Sequence, residues 1–178
     1  ELDRELELFK QLEFEQKVEE TLDKITELKE AQKKLQKETE SSEKTKEELA
    51  KAQEELSKKM EEIKKDLQDL RKKNMDLEQK NELPNTQKSE EDIKQEMQKS
   101  SDALKKGQKK KSKKSQESAI EKMEELEDKL KSMQESSGEN KPKEDMETLR
   151  KILENLVTLS FDQESLIKEL QSKLAPES

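Results

Sequence analysis

The sequence predicts an all-α protein, a long antiparallel helical hairpin or coiled coil in which one helix of about 80 residues packs against two shorter helices. Composition is the first reason, since 47% of the 178 residues are charged and only 26% are hydrophobic. So few apolar side chains cannot fill a compact globule of this size, but they can line narrow seams between helices. The second reason is a seven-residue apolar period, and the third is the scarcity of helix breakers, with two glycines and three prolines.

The first predicted helix covers residues 1–82, which contain no glycine or proline and are rich in good helix formers. Counting by sevens gives a row that is apolar at all but one position: Leu28, Leu35, Ser42, Leu49, Leu56, Ile63, Leu70 and Leu77. The companion row, three residues earlier, is polar at Gln32, Thr39, Lys46, Gln53 and Asn74. One apolar and one largely polar row predict a coiled coil that is weak in its middle. Asn74, Lys46 and the glutamines are candidates for fixing its register at some loss of stability.

Pro84 predicts a turn at residues 83–88, because proline cannot continue a helix and disfavours helical dihedrals at Leu83. Ser89 is the predicted N-cap of a second helix, residues 89–133. That helix is expected to weaken in the Lys/Ser-rich stretch 105–118, where Gly107 costs about 1 kcal/mol relative to alanine. Its predicted seam consists of Ile93, Met97, Leu104, Met123, Leu126 and Leu130.

Gly138 and Pro142 predict a linker at residues 134–143, followed by a third helix at 144–175. This last helix is the most apolar part of the chain, and its stripe is wider than one partner helix can cover. It is therefore the predicted protein-interaction surface, with Leu149, Leu153, Leu156, Leu159, Phe161, Leu166 and Leu170 as its residues. Phe161 is either an anchor for another protein or a packing residue against Phe9, and the sequence leaves both open.

The lengths of the predicted helices favour the hairpin. The first would run roughly 120 Å, and the second and third together about 115 Å. With the turn at residues 83–88, residues whose numbers sum to about 170 would lie opposite each other. The lysines at 105–114 would then face the acidic residues around positions 56–65.

The composition argues against an enzyme, a metal site or a cofactor site. The chain has no histidine or cysteine, so the common general base, thiol nucleophile and soft metal ligands are missing. No apolar run approaches the roughly 20 residues that span a bilayer. Because the sequence starts at Glu1, we expect a piece of a larger protein whose membrane anchor lies elsewhere in the chain.

A net charge of −8 argues against nucleic acid as the main partner. One basic run is the exception: Lys105, Lys106, Lys109, Lys110, Lys111, Lys113 and Lys114. It either binds an anionic ligand, such as nucleic acid or acidic lipid, or is a solvated helix face. No aromatic residue interleaves these lysines to stack on bases, which favours the solvated face.

Three stretches carry a resemblance to a known family: Glu82-Leu-Pro-Asn-Thr86, the Lys/Ser-rich segment through Ser118, and residues 144–164, where Leu149–Glu164 is the most specific part. Over roughly residues 60–170 the chain resembles a large family of Bacteroidota proteins of unassigned function. The resemblance implies N-terminal membrane-spanning helices followed by a long Glu/Lys/Gln-rich helical region. It implies a cell-envelope location, in the periplasm, with the cytoplasm as the alternative. It brings no catalytic residues.

Together these observations predict a non-catalytic scaffold that mediates protein–protein assembly. Its partners would be other subunits of a larger assembly, or a second copy of the chain. The alternatives are an anionic-ligand module that uses the lysines at 105–114, and a largely solvated helical spacer.

Overall fold

A computed structural model describes residues 2–41, 44–139 and 151 of the chain. Within these ranges the regular secondary structure is entirely α-helical, so the predicted all-α class is confirmed. The helices in the described ranges are α1 (Leu2–Ser41), α2 (Lys46–Met75), α3 (Gln87–Lys105) and α4 (Lys109–Glu139). The chain divides into two compact units, Lys10–Asn140 and Glu1–Phe9 with Lys141–Ser178. The first unit contains most of the described residues and is called the bundle below.

The prediction of one helix over residues 1–82 is wrong, because α1 ends at Ser41 and α2 begins at Lys46. Thr45 starts the new helix with a capping box. Its Oγ1 accepts a hydrogen bond from the Glu48 backbone N–H at 3.2 Å, and the Glu48 carboxylate accepts one from the Thr45 backbone N–H at 2.8 Å. Two otherwise unpaired N–H groups at a helix start are thereby satisfied. The chain reverses here, so α2 packs antiparallel to α1.

The connection between α2 and α3 is longer than the predicted turn at residues 83–88 and covers residues 76–86. Asn74 holds the connection against the end of α2. Its side chain accepts a hydrogen bond from the Asn81 backbone N–H at 2.8 Å and donates one to the Asn81 carbonyl at 2.9 Å. Helix α2 ends at Met75, and α3 begins at Gln87, before the predicted cap at Ser89.

The prediction of one helix over residues 89–133 is also wrong, because Gly107 ends α3 instead of only weakening it. Gly107 has a φ of 69°, a conformation that glycine adopts without steric cost. Its N–H donates to the Leu104 carbonyl, and the Gln108 N–H donates to the Ala103 carbonyl, both at 2.8 Å. This pair of bonds is the Schellman motif that closes a helix. Helix α4 begins two residues after the glycine.

The predicted linker at residues 134–143 is helical in its first part, because α4 continues to Glu139. Most of the predicted third helix, residues 144–175, lies outside the described residues. Within it only Lys151 is described, as a helical and exposed residue.

The helices of the bundle run alternately up and down. Polar contacts join α1 to α2 (Lys17 to Asp66), α2 to α3 (Arg71 to Glu90), α3 to α4 (Asp92 to Lys122) and α4 back to α1 (Glu127 to Lys29). Each pair is antiparallel, and the ring of neighbours closes into a four-helix bundle in the part of the chain that is described. The predicted hairpin, with positions summing to about 170, is therefore wrong. In place of one helix over residues 1–82, α1 and α2 form an antiparallel pair that ends at Met75.

The two ends of the bundle differ. At the tip, formed by Ser41, Thr45 and Lys105–Lys114, α1 meets α2 and α3 meets α4. At the base, α2 meets α3 through residues 76–86.

The core of the bundle lies on the predicted seams. All the predicted seam residues are buried: Leu28, Leu35, Leu49, Leu56, Ile63, Leu70, Leu77, Ile93, Met97, Leu104, Met123, Leu126 and Leu130. Toward the base, Phe14 and Val18 of α1 join them with 1% and 2% exposure, whereas Leu6 and Phe9 are 53% and 40% exposed. At about 25 cal/mol per Å² of apolar surface removed from water, this seam is the main force holding the helices together.

Candidate functional site

A layer of polar side chains crosses the core in the half of the bundle near the tip. We call it the polar layer; its members, each no more than 1% exposed, are Gln32, Thr39, Gln53, Ser100, Ser112 and Gln116. Together, α1, α2, α3 and α4 all contribute to it. Polar groups this deeply buried are costly unless they bond to one another.

Gln53 of α2 is the centre of the polar layer. It exchanges two hydrogen bonds with Gln32 of α1, donating at 2.7 Å and accepting at 3.0 Å. The same Gln53 carbonyl oxygen accepts from Ser100 of α3 at 2.8 Å and from Gln116 of α4 at 3.2 Å. One side chain therefore bonds to all three other helices, which fixes the rotation and register of each helix relative to α2.

The rest of the polar layer extends toward the tip. The Ser100 and Ser112 hydroxyls lie 2.9 Å apart, and the Gln116 amide also donates to Thr39 Oγ1 at 3.3 Å. The Gln116 carbonyl oxygen has no hydrogen-bond partner among the described residues. Amides and hydroxyls do not titrate near neutral pH, so the polar layer specifies helix pairing and supplies no acid or base.

Glu127 of α4 forms an ion-pair cluster with α1 nearer the base. Its carboxylate, 4% exposed, accepts hydrogen bonds from Lys29 at 2.5 Å, from Thr26 at 3.0 Å and from Lys131 at 2.6 Å. Burial alone would raise the pKa of Glu127, but the bonds from Lys131, Lys29 and Thr26 outweigh it and lower the pKa to about 2. The group is a fixed anion that ties α4 to α1.

Asp66 of α2 has the same role toward α1. It accepts from Lys17 at 2.7 Å and from Lys24 at 2.6 Å. Burial acts to raise the pKa of Asp66, yet the bonds from the two ammonium groups leave it lowered. Two cations on one carboxylate stabilise the charged form, as in Glu127.

Arg71, Thr86 and Glu90 anchor the connection between α2 and α3. The Arg71 guanidinium donates to both Glu90 oxygens, at 2.8 and 3.3 Å, and to Thr86 Oγ1 at 2.9 Å. Thr86 in turn donates to Glu90 at 2.7 Å. Glu90 is 1% exposed. A two-point Arg–carboxylate pair of this kind gives directional as well as electrostatic stabilisation.

The basic run lies at the tip, on both sides of Gly107. Lys105 pairs with Glu54 of α2 at 2.7 Å, and Lys113 pairs with Glu40 of α1. The expectation that the whole run faces α2 residues 56–65 is therefore wrong, because α4 lies beside α1 at this level. The other five lysines of the run have no ion pair with the described residues.

Two grooves on the surface of the bundle are lined largely by charged side chains. One, of about 510 Å³, lies between α1 and α4, and another, of about 500 Å³, lies between α2 and α3. Within the described ranges, no group of three or more acidic residues is arranged to hold a metal ion. The described helices are each too short or too polar to cross a bilayer. The predicted protein-interaction residues between Leu149 and Leu170 lie outside the described residues.

No protein family matches this chain, and neither a curated protein nor a solved structure does so. The resemblance to the Bacteroidota family therefore stays a prediction from the sequence.

Proposed function

We propose that this chain is a non-catalytic scaffold, a rigid helical module that positions other protein subunits in a larger assembly of the cell envelope. A scaffold must keep its own shape while it holds partners. The bonding of Gln53 to α1, α3 and α4 supports this most, because it ties all four described helices together at one level. The ion-pair clusters at Glu127 and Asp66 add further ties along α1.

The envelope location, the membrane anchor and the docking surface of this proposal rest on the sequence alone. The docking surface is the predicted apolar stripe, Leu149–Leu170. Its partner is another subunit of the assembly or a second copy of the chain.

Replacing Phe161 and Leu166 with serine tests the docking surface. The double variant should lose most of its crosslinks to partner proteins in cells, measured by crosslinking mass spectrometry on the intact assembly. Its helix content, measured by circular dichroism, should stay close to that of the unchanged chain. The matched control is Met75→Ser, which removes an apolar side chain that is 62% exposed on the bundle. Crosslinks that survive the double substitution would reject the docking surface.

A solvated spacer is the alternative that the bundle disfavours. Ser112 and Gln116, inside the stretch 105–118, are fully buried. Hydrogen exchange separates the two functions, since a spacer would exchange within seconds throughout 105–118, whereas a packed scaffold protects the amides of α4 beyond its first turn.

A further inference from the structure

Five lysines at the tip have no counterion among the described residues: Lys106, Lys109, Lys110, Lys111 and Lys114. Four of them are exposed and Lys109 is half-buried. They lie within nine consecutive residues, 106–114, around the Gly107 turn. Lysines without an ion pair occur elsewhere in the described residues, for example Lys58 and Lys59, but nowhere else do five of them lie so close together in the sequence.

Most acidic residues beside these lysines are already engaged. Asp102 and Glu117 have no ion pair with the described residues, and they offset at most two of the five positive charges. Glu54 and Glu40 pair with Lys105 and Lys113, and Glu38 pairs with Lys44 at 2.7 Å. Glu48 completes the capping box of α2. A chain with a net charge of −8 thus carries an incompletely compensated positive cluster at one end of its bundle.

The position of this cluster opposes the helix that bears it. Lys109, Lys110 and Lys111 form the start of α4, and the first turn of α4 contains no acidic residue. The N-terminus of a helix carries a partial positive charge, so cations are unfavourable there. Lys106, the C-cap of α3, is favourably placed, but the three lysines at the start of α4 do not stabilise their helix, which points to an anion outside the bundle.

The chemistry of the tip narrows the class of that anion. Residues 105–114 contain neither arginine nor an aromatic residue, so they lack the two-point hydrogen-bonding fork and the stacking faces that nucleic-acid sites use. The exposed large apolar residues of the described chain are Leu6, Phe9 and Met75, none of them at the tip. Without an aromatic, arginine or apolar anchor, the tip also lacks the features of a protein interface. A cluster of exposed lysines can instead bind a surface that carries many mobile negative charges.

We propose that the tip of the bundle binds the surface of an anionic lipid bilayer through Lys106, Lys109, Lys110, Lys111 and Lys114. Attraction between ammonium groups and acidic headgroups holds it there, with no insertion into the bilayer. Each lysine close to an anionic leaflet raises partitioning about fivefold. Five together give an upper limit of about 3,000-fold over a neutral bilayer.

The test is vesicle co-sedimentation of the whole 178-residue chain. The vesicles contain either phosphatidylcholine alone or about 30 mol% phosphatidylserine, at about 50 mM salt and again at about 500 mM. The tip variant replaces the five lysines with glutamine. The matched control replaces five exposed lysines outside the tip, Lys58, Lys59, Lys65, Lys72 and Lys80. Both variants lower the net charge from −8 by five units.

The unchanged chain should bind the acidic vesicles at low salt and dissociate from them at high salt. It should not bind the neutral vesicles. The tip variant should bind at least about 100-fold more weakly, whereas the control should stay within a factor of about 3. The thermal midpoint of the tip variant, measured by circular dichroism, shows whether it is folded. It should be unchanged or higher, because lysines are unfavourable in the first turn of α4.

Three results would overturn the proposal. One is the absence of binding to acidic vesicles at low salt. Another is an equal loss of vesicle binding in the tip and control variants, which would show that binding depends on the overall charge of the chain and not on the tip. The last is tighter binding to a duplex or single-stranded oligonucleotide than to acidic vesicles at equal phosphate concentration, which would make the tip a nucleic-acid site.

Discussion

At the scale of single residues, Glu127 is a buried anion whose partners come from two helices. Lys29 and Thr26 belong to α1 and Lys131 to α4, so a single carboxylate joins the first and last described helices of the bundle. Removing one partner of a buried ion pair usually costs more than the pair contributes, because the other charge stays buried and unpaired. Because Lys131 and Lys29 help to lower the pKa of Glu127, the contribution of this carboxylate to stability depends on pH.

The stability of the bundle should fall in acid because of Glu127. Its pKa is about 2 in the folded chain against an ordinary 4.5, so the unfolded chain takes up its proton first. The stabilisation is complete above about pH 5 and is lost as the pH falls from 4.5 toward 2. Urea unfolding at pH 7 and about pH 3 should show the unchanged chain losing on the order of 2 kcal/mol more than Glu127→Gln. Asp66 contributes in the same direction in both proteins.

Glu55→Gln is the control for this measurement, since Glu55 is exposed and has no ion pair within the described residues. It should keep the acid sensitivity of the unchanged chain. Equal loss of stability in Glu127→Gln and the unchanged chain would show that Glu127 is not ion-paired in solution.

Substitutions at Gln53 and at its hydrogen-bonding partners should have non-additive effects on the free energy of unfolding. Gln53→Leu removes the acceptor of Ser100 and leaves the buried amides of Gln32 and Gln116 short of partners, so we expect a loss of about 2–4 kcal/mol. Replacing Gln32 and Gln116 with leucine as well removes those orphaned groups and should recover part of the loss. Chemical denaturation of the single and triple variants measures the difference. A triple variant less stable than the single one would contradict the shared network.

At the scale of the elements, the turns decide the fold. The turn from α3 to α4 needs Gly107 because of its positive φ, and the space around a Cβ at this position is open. The expected penalty of a side chain is therefore conformational and not steric.

Gly107→Ala should lower the free energy of unfolding by about 1 kcal/mol, as expected for a left-handed position that loses its glycine. Thermal unfolding by circular dichroism measures it. Gly138→Ala is the matched control, because Gly138 lies in α4, where alanine is preferred and no loss is expected. A neutral Gly107→Ala would mean that the Schellman turn does not persist in solution.

The sequence indicated helices and seams well but missed two of the turns. The seven-residue row continues in phase across residues 42–45, so Ser42 is the only position at which the row itself marks the break. The Thr45-Lys-Glu-Glu48 capping box was a readable signal of a new helix there. Likewise, Gly107 was interpreted as a weak point within a helix, although glycine is the usual residue just after a helix end. Local composition cannot choose between these alternatives, because the packing partner decides whether the chain continues or reverses.

Half of the polar layer could be assigned to core positions from the sequence. Gln32, Thr39 and Gln53 stand on the companion row at core spacing, and the two glutamines are among the predicted candidates for fixing register. Ser112 and Gln116 extend the spacing of Ala119 and Met123 backward in steps of four and three, so they too could have been assigned to the seam. Their mutual bonding could not have been predicted, because it depends on all four helices meeting at one level.

At the scale of the whole bundle, crosslinking separates the observed topology from the predicted hairpin. Lys10 donates to the Asp76 carbonyl at 3.3 Å, and Lys73 pairs with Glu13 at 3.3 Å. Lys10 and Lys73 are thus neighbours in the bundle. On a continuous helix they would be roughly 90 Å apart. An amine-reactive crosslinker should join them within one chain.

Mixing unlabelled and ¹⁵N-labelled chains distinguishes links within a chain from links between two chains. Lys29 and Lys131, which share the Glu127 carboxylate, should link in the same experiment. Lys10–Lys73 links found only between labelled and unlabelled chains would reject the bundle.

The alternation of the helices also has a mechanical consequence. Lys10 in α1 and Glu139 at the end of α4 both lie at the base of the bundle. Tension applied between these two residues would peel α4 from α1 one contact at a time, beginning near the base. The Glu127 cluster would break before the contact between Thr39 and Gln116, which lies nearer the tip. A protein pulled in this way unfolds at low force and in steps, because its contacts break one after another and not all at once.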